Sequence, residues 1–146
     1  MPQTFLLTYN PTRWDWTDRE ETLRAIQTSK SRGFLHRWSA GPHPRRIGPG
    51  DEVYLLRQGP EPRGIIASGE VVSEVQQDKH WDEDQGLANY VEVRWTTAVA
   101  ADDPLPLAAL KEVAPGQNWH PRAGGTQLRD DVVTAVDQLW RDHAGR

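Results

Sequence analysis

The fold of this chain is decided by IGPGDEVYLLRQG at residues 47–59 and GIIASGEVVSEV at residues 64–75. Each stretch holds a run of apolar and β-branched residues bounded by Gly, Pro or Asp, which is typical of a strand between turns. The first predicts a strand at residues 52–57, entered through Gly50-Asp51 and left through Gln58-Gly59-Pro60. The second predicts a strand at residues 64–75, in which Gly69 marks a bulge or a close backbone approach.

Working outward, the flanking sequence adds further strands and two helices. Residues 4–9 (TFLLTY) and residues 90–95 predict strands, and residues 34–38 predict a short one. Residues 17–20 fit a capping box, which predicts a helix ending near residue 30. Residues 106–110 predict a helical turn, and Thr126 is expected to cap a last helix with an apolar face. Strands flanked by helices predict one α+β, barrel-like domain over residues 1–146.

The composition excludes several classes of protein. There is no cysteine, which excludes a disulfide framework, a thiol nucleophile and a cysteine-based zinc site. No apolar run approaches the roughly 20 residues needed to cross a bilayer. The first residues lack the charged region of a signal peptide, so we expect a cytoplasmic protein.

The charge distribution is more informative than the net charge of −4. Between Thr22 and Gly50 there is no acidic residue, and the basic residues there are Arg24, Lys30, Arg32, Arg37, Arg45 and Arg46. A basic segment in an acidic chain is typical of a phosphate-binding surface. On charge alone, a solvated surface that balances the acidic remainder explains it equally well.

Common catalytic motifs are missing from the sequence. It contains no Gly-rich phosphate loop, no Gly-x-Ser-x-Gly and no His-Glu-x-x-His. His80 lies beside three carboxylates at residues 82–84, a set that a metal-dependent nuclease uses. Without a second ligand cluster, this pattern favours a solvated acidic loop. The sequence therefore predicts no catalytic residue, no metal and no cofactor.

The seven tryptophans fall into two groups. Trp95 on an alternating strand and Trp140 on a helical stripe are expected in the core, and Trp81 is expected to cover an edge of the barrel. The other four lie in predicted loops and are Trp14, Trp16, Trp38 and Trp119. Large rings in loops must either fill a core or line a recess. A recess of this kind stacks a flat base directly.

The order of the motifs resembles the EVE domain of the PUA-like superfamily. The resemblance is carried by RWSAG at residues 37–41, by the two deciding strands, by TFLLTYNPTRWDW at residues 4–16 and by the tail from residue 118 to 140. RWSAG departs from the more usual Trp-x-Gly-Val-Arg-Asn run of the family. The resemblance implies a pseudobarrel of about five or six mainly antiparallel strands with flanking helices. It also implies a pocket for one base, as in the related YTH domains.

The closest functional analogy is with EVE modules joined to HNH nucleases in modification-dependent restriction proteins. It implies a non-enzymatic reader that flips 5-methylcytosine or 5-hydroxymethylcytosine out of DNA. Any cleavage, in restriction or phage defence, would then come from a nuclease domain or partner. No membrane partner is expected.

By position, we expect Trp38 to stack on the base, Ser39 to touch its edge, and Asn10 to donate and accept hydrogen bonds there. The full predicted pocket comprises Tyr9, Asn10, Trp14, Trp16, Trp38, Ser39, Arg57, Gln58, Trp119 and Gly124. Glycines at 124 and 125 would permit close backbone approach. The predicted phosphate-binding residues are Lys30, Arg32, Arg37, Arg45 and Arg46.

Three alternatives remain open at this point. The same pocket would serve to read a modified base in RNA. A hydrolase related to the ASCH group would need a lysine or an aspartate near the pocket. The lysines are Lys30, Lys79 and Lys111, and none lies in a segment matched to the pocket. The third alternative is an interaction scaffold whose tryptophans contact another protein.

Overall fold

The computed structural model describes residues 2–42, 46–79 and 87–145. Within these residues the chain forms three helices, α1 (Arg19–Ser29), α2 (Leu107–Val113) and α3 (Val133–Ala144), and a 3₁₀ turn at Lys30–Arg32. It also forms eight strands: β1 (Thr4–Tyr9), β2 (Phe34–Ser39), β3 (Glu52–Arg57), β4 (Gly64–Val71), β5 (Gln76–Lys79), β6 (Leu87–Ala98), β7 (Leu105–Pro106) and β8 (Thr126–Gln127). The predicted α+β class is confirmed.

The strands form one mostly antiparallel sheet. Its order is β2-β6-β4-β3-β1-β8, with β5 paired to β6 and β7 paired to β4. The pair β1–β3 is parallel and runs in register from Thr4↔Glu52 to Tyr9↔Arg57. Because parallel strands end at the same edge, the residues that follow β1 and β3 are brought side by side. The backbone N–H of Gln58 donates to the carbonyl of Tyr9 at 2.8 Å and closes this edge.

Two irregularities bend the central strands. The register shifts between Leu55 and Leu56 in the β3–β4 pair, and between Ser68 and Gly69 in the β4–β6 pair. A Cβ atom on Gly69 would overlap the carbonyl oxygen of Arg94, so the close approach predicted there is confirmed. Bulges of this kind increase the local twist and curvature of a sheet.

The core lies between the sheet and the helices and is closed by large rings. Trp95 on β6 is 2% exposed and Trp140 on α3 is 3% exposed, which confirms their predicted place in the core. The indole N–H of Trp140 donates to Ser68 Oγ at 2.8 Å, so its polar atom is satisfied inside the fold.

The predicted starts of both long helices were wrong, whereas α1 ends at Ser29, near the predicted residue 30. Helix α1 begins at Arg19 after Asp18, with no side-chain capping hydrogen bond, so the predicted capping box does not form. Thr126 does not cap α3 but lies in β8, where Leu6 pairs with it. Backbone pairing with β1 satisfies this segment, because Leu128 N–H also donates to the Thr4 carbonyl at 2.8 Å.

The strand count and lengths also differ from the prediction. Eight strands replace the expected five or six, because β5, β7 and β8 are too short to give a sequence pattern. Strand β4 ends at Val71 rather than at residue 75, and β6 extends well beyond residues 90–95. Trp81, the acidic segment from His80 to Asp84, and Arg45 lie outside the described residues. None of the described helices has the length and apolar character of a membrane span.

Candidate functional site

A recess of about 510 Å³ opens where β1 and β3 end beside β2. The predicted pocket residues that line it are Tyr9, Asn10, Trp14, Trp38, Ser39, Gln58 and Gly124. They come from segments far apart in the sequence, and the parallel β1–β3 pairing brings the first two together with Gln58. We call this cavity the aromatic recess.

One side of the aromatic recess is a cluster of packed indoles. Trp14 is partly buried and lines the recess, and its ring lies 5.7 Å from that of Trp16 at an interplanar angle of 12°. Trp38 was expected in a loop but lies on β2, where pairing with β6 buries it to 5% exposure. It meets Trp14 edge-on, with ring centroids 5.3 Å apart. The indole N–H of Trp38 donates to the Thr8 carbonyl at 2.9 Å, which fixes the ring on β1. The wall is therefore held rigidly before any ligand arrives.

Trp16 supports this wall from behind and does not line the recess. It is 5% exposed, and its ring packs at 4.8 Å from Trp38 and 5.2 Å from Tyr9. Its indole nitrogen is buried without a hydrogen-bond partner among the described residues. Burying an unpaired donor is costly, so the packing of the surrounding rings must offset that cost.

Two side-chain amides, those of Asn10 and Gln58, belong to the lining of the recess. Asn10 Oδ1 accepts from Thr12 N–H at 3.0 Å and from the Thr12 hydroxyl at 2.6 Å, which is the turn geometry expected after a strand. Gln58 Nε2 donates to the Pro121 carbonyl at 2.7 Å and ties the loop of residues 121–124 to the end of β3. Both amides are thus oriented by the protein itself.

The loop of residues 121–124 closes the recess through glycines. Gly125 N–H donates to the Leu6 carbonyl at 2.9 Å, and Gly41 has a positive φ of 84°. A Cβ on Gly41 would overlap the carbonyl of Gly124, and a Cβ on Gly124 would lie 3.0 Å from the Ser39 carbonyl. The close backbone approach predicted at Gly124 therefore occurs against β2 and the residues after it.

Three arginines line the mouth of the recess: Arg13, Arg37 and Arg122. The guanidinium of Arg37 lies over the Tyr90 ring at 4.1 Å and pairs with Asp78 at 2.7 Å. Arg13 and Arg122 are exposed. Of the three, only Arg37 was predicted from the sequence. Arg13 was detectable, since it directly precedes Trp14, whereas Arg122 has no distinguishing signal in the sequence.

The remaining predicted site residues lie elsewhere. The guanidinium of Arg57 is held by the Ala101 carbonyl, and Trp119 is 2% exposed with its indole N–H bound to the Ala114 carbonyl at 2.9 Å. Lys30 and Arg32 lie in the 3₁₀ turn, and neither they nor Arg46 line the recess. Of the described cations predicted to bind phosphate, Arg37 lines the recess, and tertiary packing brings Arg13 and Arg122 to it from two other segments.

The family model of the EVE domain matches residues 3–134 of this chain. Solved structures share the fold at low sequence identity. A protein from Pseudomonas putida matches with a TM-score of 0.64 at 14% identity, covering 93% of this chain and 98% of its own. A hypothetical protein from Leishmania major matches with a TM-score of 0.61 at 13% identity, covering 97% and 96%. No curated protein matches this chain. These neighbours share the α+β fold of this chain.

Proposed function

This chain belongs to the EVE domain family, and from that premise we propose that it reads a modified cytosine in DNA by holding the flipped base in the aromatic recess. Family membership indicates a nucleic-acid or modified-base binding module. The observation that carries the finer proposal is the recess itself, in which an indole wall, oriented amides and arginines converge on about 510 Å³. That volume lies within the range of about 300–1,000 Å³ typical of small-ligand sites.

The indole wall supplies the main attraction for a base. Trp14 keeps part of its ring accessible while Trp16 and Trp38 hold it in place. Stacking a base on such a ring contributes about 1–3 kcal/mol. Removing a base from a duplex costs a few kcal/mol, so stacking offsets much of that cost. Hydrogen bonds at the base edge and contacts to phosphates must supply the rest.

The arginines at the mouth are placed to hold the sugar-phosphate chain beside the base. The chain carries a net charge of −4, so a general attraction to DNA is not expected. Arg13, Arg37 and Arg122 nevertheless put positive charge at the mouth of the recess. Phosphate contacts of this kind add affinity and orientation without reading sequence. Recognition then depends on the base, and anchoring depends on the arginines.

A 5-methyl group is favoured by the apolar part of the wall, whereas the hydroxyl of a 5-hydroxymethyl group needs a hydrogen-bond partner in the recess. Burying one methyl group against it contributes on the order of 0.8 kcal/mol. Such a difference gives only a few-fold preference by itself. The described residues that line the recess offer no pair of groups arranged for catalysis, and we propose a binding role in which a fused or separate nuclease performs any cleavage.

A mobility-shift experiment tests this function. Three duplexes of identical sequence carry cytosine, 5-methylcytosine or 5-hydroxymethylcytosine at one position. Unlabelled modified duplex, and single-stranded RNA of the same sequence with and without the modification, serve as competitors. We expect one or both modified duplexes to bind more tightly than the unmodified one and to resist the RNA. Equal binding of the three duplexes would contradict the reading of modified cytosine. If modified RNA displaced the labelled duplex at a lower concentration than modified DNA does, the natural ligand would be RNA and the proposal of a DNA reader would be contradicted.

A further inference from the structure

The two amides in the aromatic recess each present one defined polar atom to a ligand. Thr12 uses Asn10 Oδ1 twice, and the Pro121 carbonyl uses Gln58 Nε2. Among the described residues, Asn10 Nδ2 and Gln58 Oε1 make no hydrogen bond, and neither is sealed from solvent. The recess therefore offers one donor, Asn10 Nδ2, and one acceptor, Gln58 Oε1.

Neither amide can exchange its two ends without loss. Turning Asn10 over would point its NH₂ group at the backbone N–H of Thr12, so two donors would face each other. Turning Gln58 over would place Oε1 against the Pro121 carbonyl, so two acceptors would face each other. The donor and the acceptor are therefore fixed before a ligand binds.

The chain segments that carry the two amides are also packed side by side. Gln58 follows β3 where its backbone is bonded to Tyr9, the residue before Asn10. A Cβ atom on the neighbouring Gly59 would come 2.5 Å from Asn10 Oδ1, so the backbone around Gln58 is packed against the Asn10 side chain. An adjacent donor and acceptor match the edge of a single base better than they match two separate molecules.

We propose that Asn10 Nδ2 donates to an acceptor on the edge of the bound base and that Gln58 Oε1 accepts from its exocyclic amine. This inference rests on the function proposed above. For a cytosine, the acceptor is the ring nitrogen N3 or the carbonyl oxygen O2, and the amine is at C4. Asn10 and Gln58 would thus select a base that carries a hydrogen-bond acceptor beside an amine. Recognition of the amine would be independent of recognition of the 5-substituent.

The experiment uses 5-methyl-2-pyrimidinone, which keeps the ring and the 5-methyl group but lacks the amine. Its duplex and the 5-methylcytosine duplex are compared by fluorescence anisotropy. The wild-type protein should bind 5-methylcytosine about tenfold more tightly, because the analogue leaves Gln58 Oε1 unpaired. Gln58→Met should lower that ratio about tenfold relative to the wild-type protein. Gln138→Met, on the exposed face of α3, is the matched control and should keep the wild-type ratio. The weaker pairing of the analogue in the duplex affects all variants alike and cancels when their ratios are compared.

Asn10→Asp tests the donor without removing the turn. A carboxylate still accepts from Thr12 and replaces only the NH₂ group. The matched control is Asn118→Asp, because Asn118 Oδ1 accepts from the N–H two residues later, at 3.0 Å, and its side chain does not line the recess. Asn10→Asp should bind the 5-methylcytosine duplex at least about tenfold more weakly than Asn118→Asp, at equal thermal stability.

The outcomes separate this inference from the proposed function. If the wild-type protein does not distinguish modified from unmodified duplexes, the proposed function fails and the inference falls with it. If it distinguishes them, but Gln58→Met keeps the tenfold ratio and Asn10→Asp binds like its control, only the donor–acceptor assignment is overturned. If Gln58→Met does not fold, the binding of Asn10→Asp tests the assignment, because this variant preserves every hydrogen bond that Asn10 makes to Thr12.

Discussion

Replacing Trp14 with alanine removes the accessible ring of the indole wall and leaves its supporting rings in place. The affinity for a duplex with a single 5-methylcytosine should fall by about 1–3 kcal/mol, the contribution of one base–aromatic stack. That loss corresponds to a dissociation constant about 5- to 140-fold larger. The effect is predicted at Trp14 because this ring is partly buried and lines the recess, whereas Trp16 is buried behind it.

The same change should also cost stability, and the structure gives its size. Trp14 makes three ring contacts, with Tyr9 at 6.2 Å, Trp16 at 5.7 Å and Trp38 at 5.3 Å. At about 0.5–1.5 kcal/mol each, these contribute about 1.5–4.5 kcal/mol. A domain of this size is stable by about 5–15 kcal/mol, so the variant should remain folded at 25 °C or below.

Trp119→Ala is the matched control, since it removes an indole of equal size outside the recess. This ring is 2% exposed and its N–H is bonded to Ala114, so its loss should cost about 3–5 kcal/mol of stability. Binding is measured by fluorescence anisotropy, and urea unfolding curves fix a temperature at which both variants are folded. Trp119→Ala should then bind like the wild-type protein. A folded Trp14→Ala with wild-type affinity, or equal losses in both variants, would refute the assignment of Trp14 to a stacking wall.

Three further predictions concern the mouth of the recess, its closing loop and the opposite side of the sheet. If the arginines at the mouth each hold one phosphate, a plot of the logarithm of the binding constant against the logarithm of the salt concentration should have a slope of about −2.7. Changing Arg13, Arg37 or Arg122 to Gln should reduce the magnitude of that slope by about 0.9 each, as measured by fluorescence anisotropy. A slope unchanged in all three variants would contradict their role. Gly41→Ala should lower the free energy of unfolding, measured with urea, by more than about 1 kcal/mol, because Gly41 has a φ of 84° and a Cβ there would meet the Gly124 carbonyl. A variant as stable as the wild-type protein would show that the loop of residues 121–124 packs differently. Burial of Tyr54 raises the pKa of its hydroxyl, and so does Asp137, which accepts a hydrogen bond from that hydroxyl at 3.2 Å. The neutral hydroxyl therefore stabilises the fold below about pH 10, and this contribution is lost as the pH rises further. Urea midpoints should therefore fall more steeply above about pH 10 in the wild-type protein than in Tyr54→Phe, and equal slopes would contradict the buried pair.

Much of the sheet was predictable because its strands carry local signals. Strands β1 and β3 begin and end at the predicted residues, since each is a short apolar run bounded by Gly, Pro or Asn. The bulge at Gly69 was also predictable, because glycine within a strand pattern indicates close backbone approach. The parallel pairing of β1 with β3 carries no local signal, and this pairing is what brings Asn10 beside Gln58.

The tryptophans show where sequence reasoning about the recess stops. Trp14 and Trp119 both lie outside helices and strands beside polar residues, so their surroundings in the sequence are alike. The structure places one at the recess and buries the other with its N–H bonded to Ala114. What separates them is the packing of neighbouring elements, which a single sequence does not encode locally. Arg122 was missed for the same reason.

The indole N–H signals of the ¹⁵N-labelled protein test the central claim most directly. The chain has seven tryptophans, so each indole gives its own cross-peak in a ¹H–¹⁵N spectrum. The protein is titrated with a short single-stranded DNA that carries one 5-methylcytosine. A base bound in the aromatic recess should shift the signals of Trp14 and Trp38. The signals of Trp119 and Trp140 should stay in place, because these two rings are buried outside the recess. Saturation of binding with Trp14 and Trp38 unmoved, or with shifts confined to other indoles, would contradict the claim that this protein holds a base in the recess.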